Sequence, residues 1–187
     1  MAPPNLPDPR SDAELVRAVN SGDASGFDGL YYRHRDWVVR LAQRFTGNGD
    51  DALDVLQETF SYLFRKFPGF VLTASMTTFL YPVVKKLSIA ARRKRMRMGQ
   101  RPDDERRPDP AAPATVDYPK QREELAAVLA VLPEGQREVL LMRFVDGMSL
   151  GEIGEALGVP EGTVKSRLHN ALAALRKDGR TLRYFTP

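Results

Sequence analysis

The chain contains no cysteine. That excludes disulfides, thiolate zinc sites, iron–sulfur clusters and cysteine nucleophiles together, and it fits a reducing compartment. Histidine is almost as scarce, with His34 and His169 the only two. There is also no glycine-rich phosphate loop, no His-Glu-x-x-His and no serine elbow, so the usual motifs of enzymes are missing. No apolar run approaches the roughly 18–20 residues that cross a bilayer, and the opening stretch Met1–Arg10 lacks the apolar core of a signal peptide. We therefore expect a soluble, cytoplasmic protein with no membrane insertion, no cofactor, no metal and no catalytic site. Alternating apolar and polar residues of the kind that mark strands are absent as well, which leaves an all-α fold.

What is present is proline in two clusters and positive charge in one. Pro3, Pro4, Pro7 and Pro9 mark residues 1–10 as a disordered tail, and Pro102, Pro108, Pro110, Pro113 and Pro119 mark a flexible linker over 99–119. Two small helical domains are left, 11–98 and 120–178, followed by a C-terminal tail at 179–187. The formal charge of the 187 residues is +4, but residues 85–97 alone carry +7 and the remainder −3. Such a concentrated block suits a polyanion.

In the first domain Ser11-Asp12-Ala13-Glu14 reads as a capping box, and Phe27, Leu30, Tyr31, His34, Val38, Leu41 and Phe45 form the apolar stripe of a longer helix ended by Gly47. His34 in that stripe reads as a satisfied core residue, and Trp37 as packing. A third helix should open at Asp50 or Asp51, with Ala52, Val55, Leu56, Phe60, Leu63 and Phe64 inward and Asp54, Gln57, Glu58, Ser61 and Arg65 on a polar stripe. A fourth should begin near Thr77 or Thr78 and present Tyr81, Lys85, Ser88, Arg92 and Arg95 on one side, with Pro82 kinking it or displacing its start. In the second domain a helix over 120–132 precedes one starting at Pro133-Glu134. Ser149-Leu150-Gly151-Glu152 is another capping box, Gly158 allows a sharp turn, and Pro160 starts the last helix. This is helix-turn-helix spacing, with Lys165, Ser166, Arg167, His169 and Asn170 directed outward.

Three strings, in this order, resemble the sigma factors of bacterial RNA polymerase of the compact extracytoplasmic-function (ECF) type. They are Asp51-Ala52-Leu53-Asp54-Val55-Leu56-Gln57-Glu58-Thr59-Phe60, then Thr78-Phe79-Leu80-Tyr81 ahead of the basic run, then Leu132-Pro133 through Gly162-Thr163-Val164-Lys165-Ser166-Arg167-Leu168. The resemblance spans residues 12–97 and 120–178 and equates the two domains with sigma regions 2 and 4. It implies that Asp54, Gln57, Glu58 and Ser61 bind core RNA polymerase, and that the loop Phe67 to Thr77 captures a base flipped from the −10 promoter element. Tyr81, Lys85, Lys86, Arg92, Arg93 and Arg95 would hold the opened strand, with Phe79 more suited to the core. Lys165, Ser166, Arg167, His169 and Asn170 would read the −35 element of promoter DNA.

An anti-sigma factor is a further implied partner. Phe79 stands where family members commonly have Trp, Ala90 replaces a frequent acid, and Asn170 replaces a common Arg. The competing readings are a stand-alone helix-turn-helix regulator, which leaves the first two strings unexplained, and a sigma mimic that sequesters an anti-sigma protein, which would need a receiver domain.

Overall fold

The computed structural model describes residues 8–99, 126–179 and 181. The chain divides into two compact units, Met1–Asp104 and Glu105–Pro187. The regular elements among the described residues are all α-helical. Residues 1–7 of the expected tail, 100–119 of the expected linker, 120–125 of the expected fifth helix and most of the C-terminal tail lie outside the described residues.

The first unit is built on four helices, α1 (Asp12–Asn20), α2 (Ser25–Thr46), α3 (Gly49–Phe64) and α4 (Met76–Arg97). The capping box forms as the sequence predicts, with Glu14 N donating to Ser11 Oγ and Ser11 N donating to Glu14 Oε2. Helix α2 is central and packs against the other three. Its stripe of Leu30, Val38, Leu41 and Ala42 is buried with Leu15, Val55, Leu63, Leu80 and Val84. Gly26 lets α1 and α2 close up, because a Cβ there would lie 2.7 Å from the Leu15 carbonyl oxygen. Gly47, at φ 66°, ends α2 in the left-handed conformation that glycine adopts without steric cost.

Two helix starts differ from expectation. Helix α3 is capped by Asn48, whose Oδ1 accepts from Asp51 N at 2.9 Å, so Asp50 and Asp51 sit in the first turn and complement the dipole there. Helix α4 is capped by Ser75, whose Oγ accepts from Thr78 N at 3.2 Å, and it begins at Met76. It runs on through Pro82, which has no N–H to donate and so removes one backbone hydrogen bond from the helix.

Residues 8–10 are not loose either. Arg10 pairs with Asp8 at 2.7 Å and reaches Asp23 at 3.2 Å, while Arg33 donates to the carbonyls of Asp8 and Arg10. Those bonds hold the segment against α1 and α2. His34 is a satisfied core residue as expected, with Nε2 2.9 Å from Asp12 Oδ2. Burial opposes ionisation of Asp12, but hydrogen bonds from His34 and Arg33 outweigh it and hold the carboxyl below the usual range.

The second unit contains, among the described residues, α5 (126–130), α6 (Glu134–Phe144), α7 (Leu150–Leu157) and α8 (Glu161–Lys177). Leu132, Leu140 and Ala171 form a core to which Leu129, Leu168, Leu172 and Leu175 add. Helix α8 packs against both α6 and α7. Pro133 and Pro160 are N-caps, and the Ser149–Glu152 capping box opens α7.

Candidate functional site

The polar stripe of α3 follows from its inner face. Ala52, Val55, Leu56, Thr59, Phe60 and Leu63 are buried, which turns Asp54, Gln57, Glu58 and Ser61 outward, and all four are exposed. Gln57 and Ser61 border a groove lined by Phe27, Tyr31, Phe60, Phe64 and Arg65. The Phe27 and Phe64 rings meet edge to face at 5.2 Å, as do Tyr31 and Phe60 at 4.9 Å. Phe64 was expected inside but is 60% exposed. It closes one side of the groove, because the ring it meets belongs to α2. Sequence reasoning found the stripe and missed the aromatic groove, since Phe27 and Tyr31 lie some thirty residues upstream.

Helix α4 departs furthest from expectation. Tyr81 is 1% exposed, Ser88 is buried and Arg95 is 8% exposed. With Leu80 and Val84 they occupy the side that packs on α2 and α3, so the outward stripe drawn through Tyr81, Ser88 and Arg95 is corrected to an inward one. The Arg95 guanidinium places Nη1 2.9 Å from Asp51 Oδ2 and donates through Nη2 to the Thr46 carbonyl at 2.8 Å. A cation that bridges two other helices in this way is spent on the fold. Lys85 is half-buried, with Nζ 5.9 Å from the Phe45 ring centroid. Lys86, Arg92, Arg93, Lys94 and Arg97 are the exposed cations of the block. Tyr81, expected outside, is in the core, and Phe79, expected there, packs at its edge. Phe79 is half-buried, its ring stacked on Tyr62 at 6.3 Å and tilted 54° against Phe70 at 4.8 Å, beside the α3–α4 loop.

In the second unit Gly158, at φ 65°, makes the turn between α7 and α8. Gly154 makes that turn tight, since a Cβ there would lie 2.9 Å from the Val159 carbonyl oxygen. Lys165, Ser166, His169 and Asn170 are exposed on α8 as expected. Lys165 Nζ is 2.8 Å from Glu161 Oε1, and Ser166 Oγ donates to the Thr163 carbonyl at 3.0 Å. Arg167 differs. It is half-buried, with its guanidinium carbon 3.5 Å from where a Cβ on Gly135 would sit, so it covers the first turn of α6 rather than projecting. Among the described residues no cluster of three or more His, Asp or Glu side chains could hold a metal ion.

Comparison with known proteins matches both units. The Sigma-70 region 2 family model matches residues 30–98, and the Sigma-70, region 4 model matches residues 122–175. The ECF RNA polymerase sigma factor SigM of Mycobacterium tuberculosis is 32% identical over 176 residues, which cover 90% of this chain and 84% of that protein. Two solved structures share the fold. CnrH, solved with the cytosolic domain of CnrY, has a TM-score of 0.64 at 24% identity, covering 88% of this chain and 94% of that one. The sigma factor RpoE of Bartonella quintana, solved with the anti-sigma factor NepR, has a TM-score of 0.59 at 22% identity, covering 81% and 94%.

Proposed function

We infer how this chain works from the premise that it belongs to the sigma-70 family, as an ECF RNA polymerase sigma factor. It binds core RNA polymerase and directs promoter-specific initiation of transcription. Members of this family are specificity subunits, and the bond-forming chemistry belongs to the polymerase. We take this chain likewise to have no catalytic site and to act in the cytoplasm, where polymerase and DNA are. No helix among the described residues is long and apolar enough to cross a membrane.

The division of labour we propose assigns core docking to Asp54, Gln57, Glu58 and Ser61. The observation that carries it is that all four are exposed along one face of α3, beside an open aromatic groove. Four polar side chains over apolar walls suit a partner surface that mixes hydrogen bonds with ring packing. On α4 the strand-holding cations are Lys86, Arg92 and Arg93, joined by Lys94 and Arg97, with Lys85 at their edge. Exposed Lys and Arg on one helix neutralise phosphates irrespective of sequence. The loop joining α3 to α4 receives the flipped −10 base. On α8, Lys165, Ser166, His169 and Asn170 read −35 base edges, while Arg167 braces the helix.

An anti-sigma factor is the proposed regulator, in keeping with the NepR complex of the Bartonella relative. Transcription by core polymerase with and without this chain, on a library randomised at both promoter elements, tests the assignment. Selection of one −10/−35 pair only when the chain is present is the expected result. Equal sequence-specific binding by the isolated chain would instead indicate a stand-alone regulator.

A further inference from the structure

We propose that Asn20, the last residue of α1, is a positioning residue that shapes the α3–α4 loop and thereby sets its base preference. This rests on the reading above that the loop receives a flipped base. The Asn20 amide makes two hydrogen bonds to that loop. Its Oδ1 accepts from Gly69 N at 2.7 Å and its Nδ2 donates to the Phe70 carbonyl at 2.8 Å. One planar amide therefore ties two peptide units of the loop, Pro68–Gly69 through its N–H and Phe70–Val71 through its carbonyl, which fixes the path of the chain across Gly69 and Phe70.

The contact is not a by-product of ending α1. Ser21 performs that task, its Oγ donating to the carbonyls of Arg17 and Ala18. Asn20 instead reaches 49 and 50 residues along the chain. Its partner Gly69 has φ +97°, a conformation open to glycine and strained for other residues. Phe70 is turned inward, with its ring 5.5 Å from Phe67 and 4.8 Å from Phe79.

Past Phe70 the loop emerges. Val71 is 73% exposed and Thr73 is exposed too. The segment is fixed again at Ser75, whose Oγ caps α4 and lies 3.0 Å and 2.8 Å from the Thr77 and Thr78 hydroxyls. Residues 71–74 thus form a short arch tied at both ends, one tie being Asn20. A base pays for unstacking when it leaves the duplex, and a loop already in its binding shape adds no ordering cost to that step.

The test uses core polymerase assembled with the full chain carrying Asn20→Ala or Asn20→Asp. The aspartate keeps an acceptor for Gly69 N–H but opposes the Phe70 carbonyl oxygen. With either variant, base discrimination at one −10 position should fall about five- to tenfold, the scale of one or two lost hydrogen bonds. Core affinity, −35 preference and salt dependence should stay at wild-type values, and the Gly69 amide should exchange its hydrogen faster. If Asn20→Ala does not fold, Asn20→Asp carries the same comparison. Faster Gly69 exchange with undiminished −10 discrimination would overturn the proposal, and so would a loss of discrimination matched by an equal loss of core affinity. A control with Val71→Gly and Thr73→Gly separates the two levels. If it too leaves −10 preference unchanged, base capture by this loop is itself wrong. If it abolishes preference while the Asn20 variants do not, only the role of Asn20 fails.

Discussion

Arg95, near the end of the basic helix, lies with Nη1 2.9 Å from Oδ2 of Asp51, in the first turn of the helix proposed to dock on polymerase. The same guanidinium donates to the Thr46 carbonyl at the end of α2. One side chain therefore joins three helices at the corner where α3 begins and α4 ends. The Arg95 side chain is 9% exposed and that of Asp51 20%. At that depth the pair is screened little, and removing either member leaves the other desolvated.

Arg95→Ala should cost about 2–3 kcal/mol in denaturant-induced unfolding of the first unit. That is below the roughly 3–5 kcal/mol for breaking a fully buried pair, because Asp51 keeps some contact with water. In variants that still assemble with polymerase, the salt dependence of promoter binding should match wild type. A shallower salt slope from Arg95→Ala would return this residue to the DNA contacts.

The exposed cations should behave in the opposite way. Neutralising Arg92 and Arg93 should leave melting nearly unchanged and flatten the dependence of promoter affinity on salt by about 0.7–0.9 in slope per lost phosphate contact. Asn170→Arg should shift −35 preference, with a lost or gained base contact worth about 1–3 kcal/mol of discrimination, and leave −10 opening intact. Transcription of a promoter library by each variant reads both effects. A −35 shift from the α4 change and none from Asn170→Arg would reverse the roles given to the two units.

Replacing Asp54, Gln57 and Glu58 together by Ala should weaken binding to core polymerase. Since the three are exposed, each change should alter stability by no more than about 0.5 kcal/mol. Circular dichroism and a binding titration separate the two readouts, and a large drop in melting temperature would mark the stripe as structural.

Gly154→Ala offers a gain and a loss on the same residue. Alanine is the better helix former by about 0.5–1 kcal/mol, yet its Cβ would meet the Val159 carbonyl oxygen at 2.9 Å, and backbone there cannot move without opening the turn. The net effect should be a less stable second unit and weaker −35 binding, with −10 discrimination unchanged. Thermal melting of the variant checks the first part, and promoter selection checks the second.

Acid should loosen the start of the first unit. The Asp12 carboxyl is held below its ordinary value of 3.8. A depressed folded-state value means stability that is fully present above the unfolded value and lost as pH falls through the folded one. The stability difference between wild type and Asp12→Asn should therefore be level from neutral pH to about 5 and shrink below about 4. Denaturation series at stepped pH would show it, and a difference that stays constant to pH 2 would contradict it.

The local rules of the chain were legible in its residues. Ser11–Glu14 and Ser149–Glu152 cap their helices with partners three positions away, and Gly47 and Gly158 end theirs by backbone freedom alone. The polar stripe of α3 could be read because its apolar residues recur cleanly and leave Asp54, Gln57, Glu58 and Ser61 only one side to occupy. The facing of α4 could not be read this way. Its basic half intersperses Lys and Arg with Leu87, Ile89 and Met96, and charge by itself predicts exposure. A cation becomes an inward residue only where another part of the chain brings it a carboxylate and a carbonyl, as Asp51 and Thr46 do for Arg95. Tyr81, Arg167, the Phe27–Phe64 contact and the Asn20 bonds to Gly69 and Phe70 belong to the same class. Each depends on a partner outside its own helix, and periodicity within one helix carries no information about what packs against it.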